Sequence, residues 1–318
     1  MRLLHTREVK TCNFEGSDRP PYAILSHRWG DDEISFQDVQ AMRGKYWAAA
    51  LDEEQENALI TSKKGFDKLA KSVQLAQRSG FEYIWLDTCC IDKTNSAELT
   101  EAINSMYQWY ETADVCYVYL ADVRPAFEED MHANPSSFRQ SLWFRRGWTL
   151  QELIAPSEVE FFAWDWSYLG NKREMKQFTD LLTAITRIPN EVLWGDTHPS
   201  EASVASRMSW AATRETTRVE DLAYCLLGLF DVNMPPLYGE GEKAFTRLQE
   251  QILSQNDDET IFAWHTEVPS NGAFYGLLAE RPSYFGNSYN LEPVSRLTLA
   301  PDGTSSTFIR RQVGPSRV

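Results

Sequence analysis

No apolar run in the chain approaches the roughly 20 residues that a membrane-spanning helix needs, because charges interrupt every stretch well short of it. The opening MRLLHTREVK likewise has no apolar segment of the secretory kind, so a cytoplasmic protein without a membrane span is expected. Positive charge is scarce: 31 Lys and Arg stand against 46 Asp and Glu, a net charge of −15. Such a chain repels a phosphate backbone at long range, which argues against nucleic acid as a partner. Cysteine is sparse too. Cys12, Cys89, Cys90, Cys116 and Cys225 are odd in number and lack C-x-x-C spacing, so neither a disulfide framework nor a metal site is expected. There is no Gly-x-x-x-x-Gly-Lys-Ser/Thr loop for a nucleoside triphosphate and no repeat at a fixed period. What remains is 318 residues, 42% hydrophobic and 13% aromatic, with apolar residues in element-length runs. This is the composition of a folded chain larger than the usual single domain.

Four apolar runs read as buried strands, each ending at polar residues: Tyr22–Ser26, Tyr83–Leu86, Val115–Leu120 and Val159–Trp164. Helical patterns lie between them. Phe66, Leu69, Ala70, Val73 and Ala76 share one face, with Gly80 where a C-terminal cap belongs. Leu99, Ile103, Met106, Tyr107 and Tyr110 form a second face, and Trp148–Ala155 reads as a short helix stopped by Pro156. Alternating strands and helices predict an α/β fold: a parallel sheet with helices on both faces, whose ligands bind outside the carboxyl ends of the strands. Two polar insertions, Gly30–Ser62 with the acidic Asp52–Glu56, and Asp122–Gln140, are either lids or solvated surface. From about Lys172 the pattern turns helical, over Met175–Ile185, Val204–Thr213, Val219–Phe230 and Glu242–Ser254, with a capping-box pattern at Thr217–Glu220. The expected organisation is an α/β core over 1–170, a helical extension over 171–265 packed on it, and an irregular or short-strand segment over 266–318.

Three clusters could carry chemistry. Ser26-His27-Arg28-Trp29-Gly30-Asp31-Asp32 follows the first strand. Arg28 could fork onto an anion and Trp29 could stack on a ring, or Arg28 could simply pair with Asp31 or Asp32 while His27 caps a loop. Trp85-Leu-Asp87-Thr-Cys89-Cys90 follows the second strand. Asp87 then faces the same crevice as His27, and a Cys–His–Asp hydrolase is conceivable if the thiols are not merely buried. Arg145-Arg-Gly-Trp148-Thr149-Leu-Gln-Glu152-Leu places a carboxylate one turn from an indole, yet Thr149-x-x-Glu152 is also a capping box.

In identity and order, the stretches YAILSHRWG, YIWLDTCCID and RRGWTLQEL resemble the heterokaryon incompatibility (HET) domain of filamentous fungi. RVEDLAYCLLGLFDVNMPPLYGEGEKAFTRLQEQIL resembles the segment following that domain. The likeness extends over about Pro20–Trp264. It implies a non-self recognition protein whose activation triggers cell death. More distantly, Leu25-Ser26-His27-Arg28 with its acidic followers, and Trp148-x-x-x-Glu152-Leu153, resemble the Toll/interleukin-1 receptor (TIR) fold and its NAD⁺-cleaving members. That resemblance implies a flavodoxin-like sheet, Glu152 as catalytic carboxylate, and Ser26, His27, Arg28, Trp29, Asp87 and Trp148 around the substrate. NAD⁺ is then substrate and no cofactor is required. Activation would come by self-association or through a sensor protein or receptor region. Some TIR domains only assemble and signal, so an interaction module without catalysis stands as the alternative.

Overall fold

The structure is a computed structural model that describes residues 1–16, 18–42, 47, 54–266 and 276–292. Residues 52 and 53 of the acidic stretch Asp52–Glu56, and 267–275 and 293–318 of the C-terminal segment, lie outside the described residues. The chain divides into two compact units, Met1–Gly195 and Asp196–Val318.

Among the described residues the first unit is built on seven strands: β1 (Arg2–His5), β2 (Thr11–Asn13), β3 (Tyr22–His27), β4 (Tyr83–Trp85), β5 (Val115–Tyr119), β6 (Val159–Phe162) and β7 (Tyr168–Asn171). Their order across the sheet is β2-β1-β4-β3-β5-β6-β7. The four strands legible in the sequence form the centre and run parallel, Ala23 pairing with Ile84 on one side and Val115 on the other. The expected parallel sheet is nevertheless mixed. β1 adds antiparallel to β4, β2 to β1, and β7 to β6. The added strands are short and carry Arg2, His5, Thr11 and Asn13, so no continuous apolar run betrays them, although Leu3 and Leu4 are wholly buried.

Helices α1 (Phe36–Ala41), α2 (Glu54–Thr61) and α3 (Phe66–Arg78) follow β3; α4 (Ser96–Glu111) follows β4; α5 (Ser137–Gln140) and α6 (Thr149–Ile154) follow β5; α7 (Lys176–Thr186) and α8 (Asn190–Trp194) follow β7. The step from β3 to β4 goes one way along the sheet, and the steps to β5 and β6 go the other. Right-handed crossovers then put α3 on one face and α4 and α6 on the opposite one. α3 buries Phe66, Leu69, Val73 and Ala76. It ends in a Schellman motif, in which Phe81 N–H bonds the Ala76 carbonyl and Gly80 N–H that of Gln77, with Gly80 at φ +87°. α4 starts at Asn95, whose side chain accepts from Ala97 and Glu98 N–H. At its far end the Tyr22 hydroxyl donates to the Trp109 carbonyl at 2.5 Å, tying the helix to β3. The insertion over 122–140 is braced at both ends, Glu129 accepting from Ser137 N–H at 2.8 Å and Asp122 from Leu142 N–H at 2.8 Å.

The second unit contains α9 (Val204–Ala211), α10 (Asp221–Tyr224) and α11 (Lys243–Gln255). Its core includes Met208, Trp210, Leu226, Phe245, Leu248 and Ile252. The helix expected over Val219–Phe230 is broken into α10 and a 3-10 turn at Gly228–Phe230, and Glu220 does not close a capping box. Its carboxylate instead accepts the N–H groups of Gly239 (2.8 Å) and Gly241 (3.2 Å); its own backbone N–H first, and then these two, hold it below the usual carboxylate range. Glu220 thus staples the Pro235-Pro236 turn.

Candidate active site

The parallel strands read 2-1-3-4 in chain order, so the direction of winding reverses between β3 and β5. The crevice outside the carboxyl ends of the strands at such a reversal is where open α/β sheets bind ligands. β3 ends there in Ser26 and His27, whose side chains point to opposite faces because successive strand residues alternate.

On the face of α4 and α6, the Ser26 hydroxyl donates to Glu152 Oε2 at 2.5 Å and accepts from Trp143 Nε1 at 2.8 Å. Tyr110, donating to the Leu25 carbonyl at 3.2 Å, stands beside Glu152. Glu152 is only 7% exposed. Burial, reinforced by the charge of Asp87 and opposed by the Ser26 bond and Arg146, pushes its carboxyl up to about 8, so the resting side chain is a neutral acid at pH 7. The first and third sequence clusters therefore meet, across 126 residues of chain. The capping-box expectation for Thr149-x-x-Glu152 is overturned. No side chain caps α6, the Thr149 hydroxyl lies 2.6 Å from the Trp143 carbonyl, and Glu152 turns inward to Ser26.

The far end of α6 is held by Lys172, a buried residue with no distinguishing sequence motif around it. Its ammonium meets the carbonyls of Leu153 (3.1 Å), Ile154 (3.5 Å) and Pro156, acceptors left open where the helix stops. A cation there also complements the helix dipole, while burial pulls the amine down to about 7. Cys116 Sγ contacts the Glu152 carbonyl at 3.7 Å, and burial keeps it a thiol.

On the face of α3, His27 is buried with Nε2 3.8 Å from Asp87 Oδ1, beyond hydrogen-bond length, and neither ring nitrogen has a partner among the described residues. Burial, then the charges of Lys68, Lys93 and Arg146, hold the imidazole well below its ordinary value and therefore neutral. The other oxygen of Asp87 accepts from Trp29 Nε1 at 2.7 Å, and the Lys93 ammonium sits 3.4 Å from the centre of the Trp29 ring. The loop after Trp29 is fastened to α3. Gly30 N–H bonds Glu33 at 2.7 Å, Glu33 pairs with Lys68, and Gly65 N–H reaches the Asp32 carbonyl at 3.2 Å. A Cβ on Gly65 would stand 2.9 Å from the Glu33 backbone, so the close approach requires glycine.

The structure thus gathers Ser26 with Glu152, and His27 and Trp29 with Asp87. It does not bring Arg28 or Trp148 into these contacts. Arg28 is exposed, and Asp31 and Asp32 face Lys64 (3.7 Å) and Lys63 (3.9 Å) rather than Arg28. Trp148 is half-buried at the start of α6, and the indole that reaches Ser26 is Trp143. Cys89 and Cys90 are buried. Their mutual hydrogen bond, with burial, raises the Cys89 thiol well above its ordinary range, an unreactive state for a nucleophile. No group of His, Cys, Asp and Glu suited to a metal ion occurs among the described residues, and no described helix is long and apolar enough to cross a membrane.

Residues 22–134, which include both strand ends, match the family described as Heterokaryon incompatibility protein (HET). The Vegetative incompatibility protein HET-E-1 of Podospora anserina is 46% identical over 262 residues, 79% of this chain. The chain carries a heterokaryon incompatibility (HET) segment. It spans 18% of the length of that relative. No solved structure matches it. The HET match takes in Ser26, His27, Trp29 and Asp87 and ends before Trp143 and Glu152, so the carboxylate is joined to the HET segment by the contact with Ser26 rather than by the family pattern.

Proposed function

We propose that this chain is a fungal incompatibility effector whose activation brings cell death, and that it acts by cleaving NAD⁺ between nicotinamide and ribose. The observation that carries the reading is the Ser26–Glu152 contact. It sets a desolvated carboxyl at the reversal point of a 2-1-3-4 parallel sheet, the order of flavodoxin-like and TIR-like folds. The chemistry asks for little else. The C1′–N bond breaks with its electron pair going to the pyridinium nitrogen, so nicotinamide departs neutral without needing an acid. The protein must stabilise the oxocarbenium-like ribosyl group left behind, and a water then adds at C1′ and gives up its proton. An ionised Glu152 supplies the countercharge and accepts that proton. The cationic pyridinium ring of the substrate favours ionisation of a carboxyl that rests neutral at about 8, so binding itself charges the group. The exposed Trp29 offers a face for stacking and Arg28 a fork for pyrophosphate. Self-association, or a sensor region of a longer chain, opens or completes the site.

A second reading rests on the burial of Glu152. With Ser26, Trp143 and Tyr110 it forms a satisfied polar cluster inside the unit, as a purely structural residue of an assembling death module would. Cell death in a fungal host separates the two. The enzymatic reading expects Glu152→Gln, expressed at the wild-type level, to abolish killing, whereas undiminished killing by that variant supports the module.

A further inference from the structure

The polar groups of the Glu152 cluster satisfy one another, but those of His27 do not. Its side chain is 1% exposed and neither ring nitrogen has a partner among the described residues, which leaves an N–H donor and a lone pair unsatisfied in the interior. A buried group of this kind asks for an explanation, and a bound ligand or bridging molecule is one. The direction is given by Asp87. Its Oδ1 lies 3.8 Å from His27 Nε2, while its Oδ2 is already used by the Trp29 indole. An ion pair does not close the gap, since the imidazole is held neutral by burial and by Lys68, Lys93 and Arg146. A neutral imidazole N–H and a carboxylate oxygen set slightly too far apart for each other are complementary to one kind of group. A hydroxyl accepts from the first through its lone pair and donates its proton to the second.

We propose that the His27 Nε2–Asp87 Oδ1 pair reads the 2′-hydroxyl of a ribose, the two groups gripping that one oxygen as donor and acceptor at once. The choice of sugar rests on the NAD⁺ reading above; the demand for a hydroxyl rests on the unpaired imidazole. The pair lies at the end of β3, adjacent in sequence to Ser26 and facing the opposite side of the sheet from Glu152. Trp29, anchored to Asp87 and overlain by Lys93, is the neighbouring flat surface for a base or ring. His27 and Asp87 are therefore specificity residues, distinct in task from Glu152. Their loss weakens recognition of the 2′-hydroxyl and breaks none of the hydrogen bonds of the Glu152 cluster, although removal of the Asp87 charge also relieves part of the upward push on the Glu152 carboxyl.

The test is a titration of the full chain, labelled with ¹⁵N at histidine, with ribose 5-phosphate and with 2-deoxyribose 5-phosphate. It is read by long-range ¹H–¹⁵N spectra, with His27 assigned from His27→Gln. Ribose 5-phosphate is expected to move the His27 ring signals without charging the ring, and to bind about tenfold or more tightly than the deoxy sugar, the usual worth of one hydrogen bond made by a charged group. Asp87→Asn, which keeps shape and fold, should erase that preference. Equal affinity for the two sugars, binding that leaves His27 unmoved, or no binding of either overturns the proposal, and the pair then holds an ordered water only. The outcome is independent of catalysis. Preference for the 2′-hydroxyl without nicotinamide release would sink the glycohydrolase reading alone, and nicotinamide release without that preference would sink this inference alone.

Discussion

Glu152 is a residue whose environment makes its protonation a measurable quantity. The folded chain keeps a proton on it up to about pH 8, while the unfolded chain releases that proton above about 4.5. The folded state therefore binds more protons across that window, and stability falls as pH rises from 4.5 to 8, by about 1.4 kcal/mol per pH unit from this group alone. Denaturant unfolding of wild type and Glu152→Gln over pH 4–8 should show the difference: the variant, with no proton to lose, gains on wild type as pH rises. A difference independent of pH would mean that Glu152 is ionised and solvated in the folded protein. The same group gives activity a sign. Where the ionised carboxylate is the working form, kcat/KM for NAD⁺ should climb about tenfold per pH unit below pH 8 and level off above it. Cys89→Ser and Cys90→Ser are expected to leave turnover unchanged, because the thiols are buried and the Cys89 thiol is held protonated.

Among the elements, α6 matters most, because it carries Glu152 at one place and is clamped by Lys172 at another. Lys172→Met should cost about 2 kcal/mol or more, since carbonyls of Leu153, Ile154 and Pro156 lose their donor in a dry environment. The folded amine loses its charge near pH 7 while the unfolded one keeps it to about 10.5. Wild type therefore gains stability relative to the variant as pH rises from 7 to 10, which pH-dependent melting would reveal. Gly80→Ala, at φ +87° with open space around it, should cost about 1 kcal/mol by strain alone. The sheet also illustrates what a sequence exposes and conceals. β3 and β5 are central and covered on both faces, so YAILS and VCYVYL are continuous apolar runs that announce them. β1, β2 and β7 add at the edges with mixed polarity, and only their pairing partners make them strands. Ser26, Glu152 and Asp87 were legible as polar residues in or after apolar elements. Trp143 was not, because a register of five residues on one short segment decides which indole reaches Ser26. Lys172 was not either, since nothing in its sequence neighbourhood tells a buried lysine from a solvated one.

At the scale of the whole molecule, a net charge of −15 opposes close approach of identical chains at low ionic strength. If self-association completes the site, specific activity should rise with protein concentration, and more steeply at 0.15 M salt than at 0.01 M, where screening is weak. The chain spans 18% of the length of its Podospora relative. If Ser26 and Glu152 form a catalytic centre at the reversal point of the sheet, as proposed, folded protein releases nicotinamide from NAD⁺ and does so through Glu152. Purified wild type and Glu152→Gln, both shown to be folded, are compared at low and high protein concentration. The account predicts release that grows with concentration in wild type and is lost by at least about a hundredfold in the variant, the scale of removing a group that stabilises transition-state charge. Equal release by the two proteins, or none from folded wild type at any concentration, would contradict it.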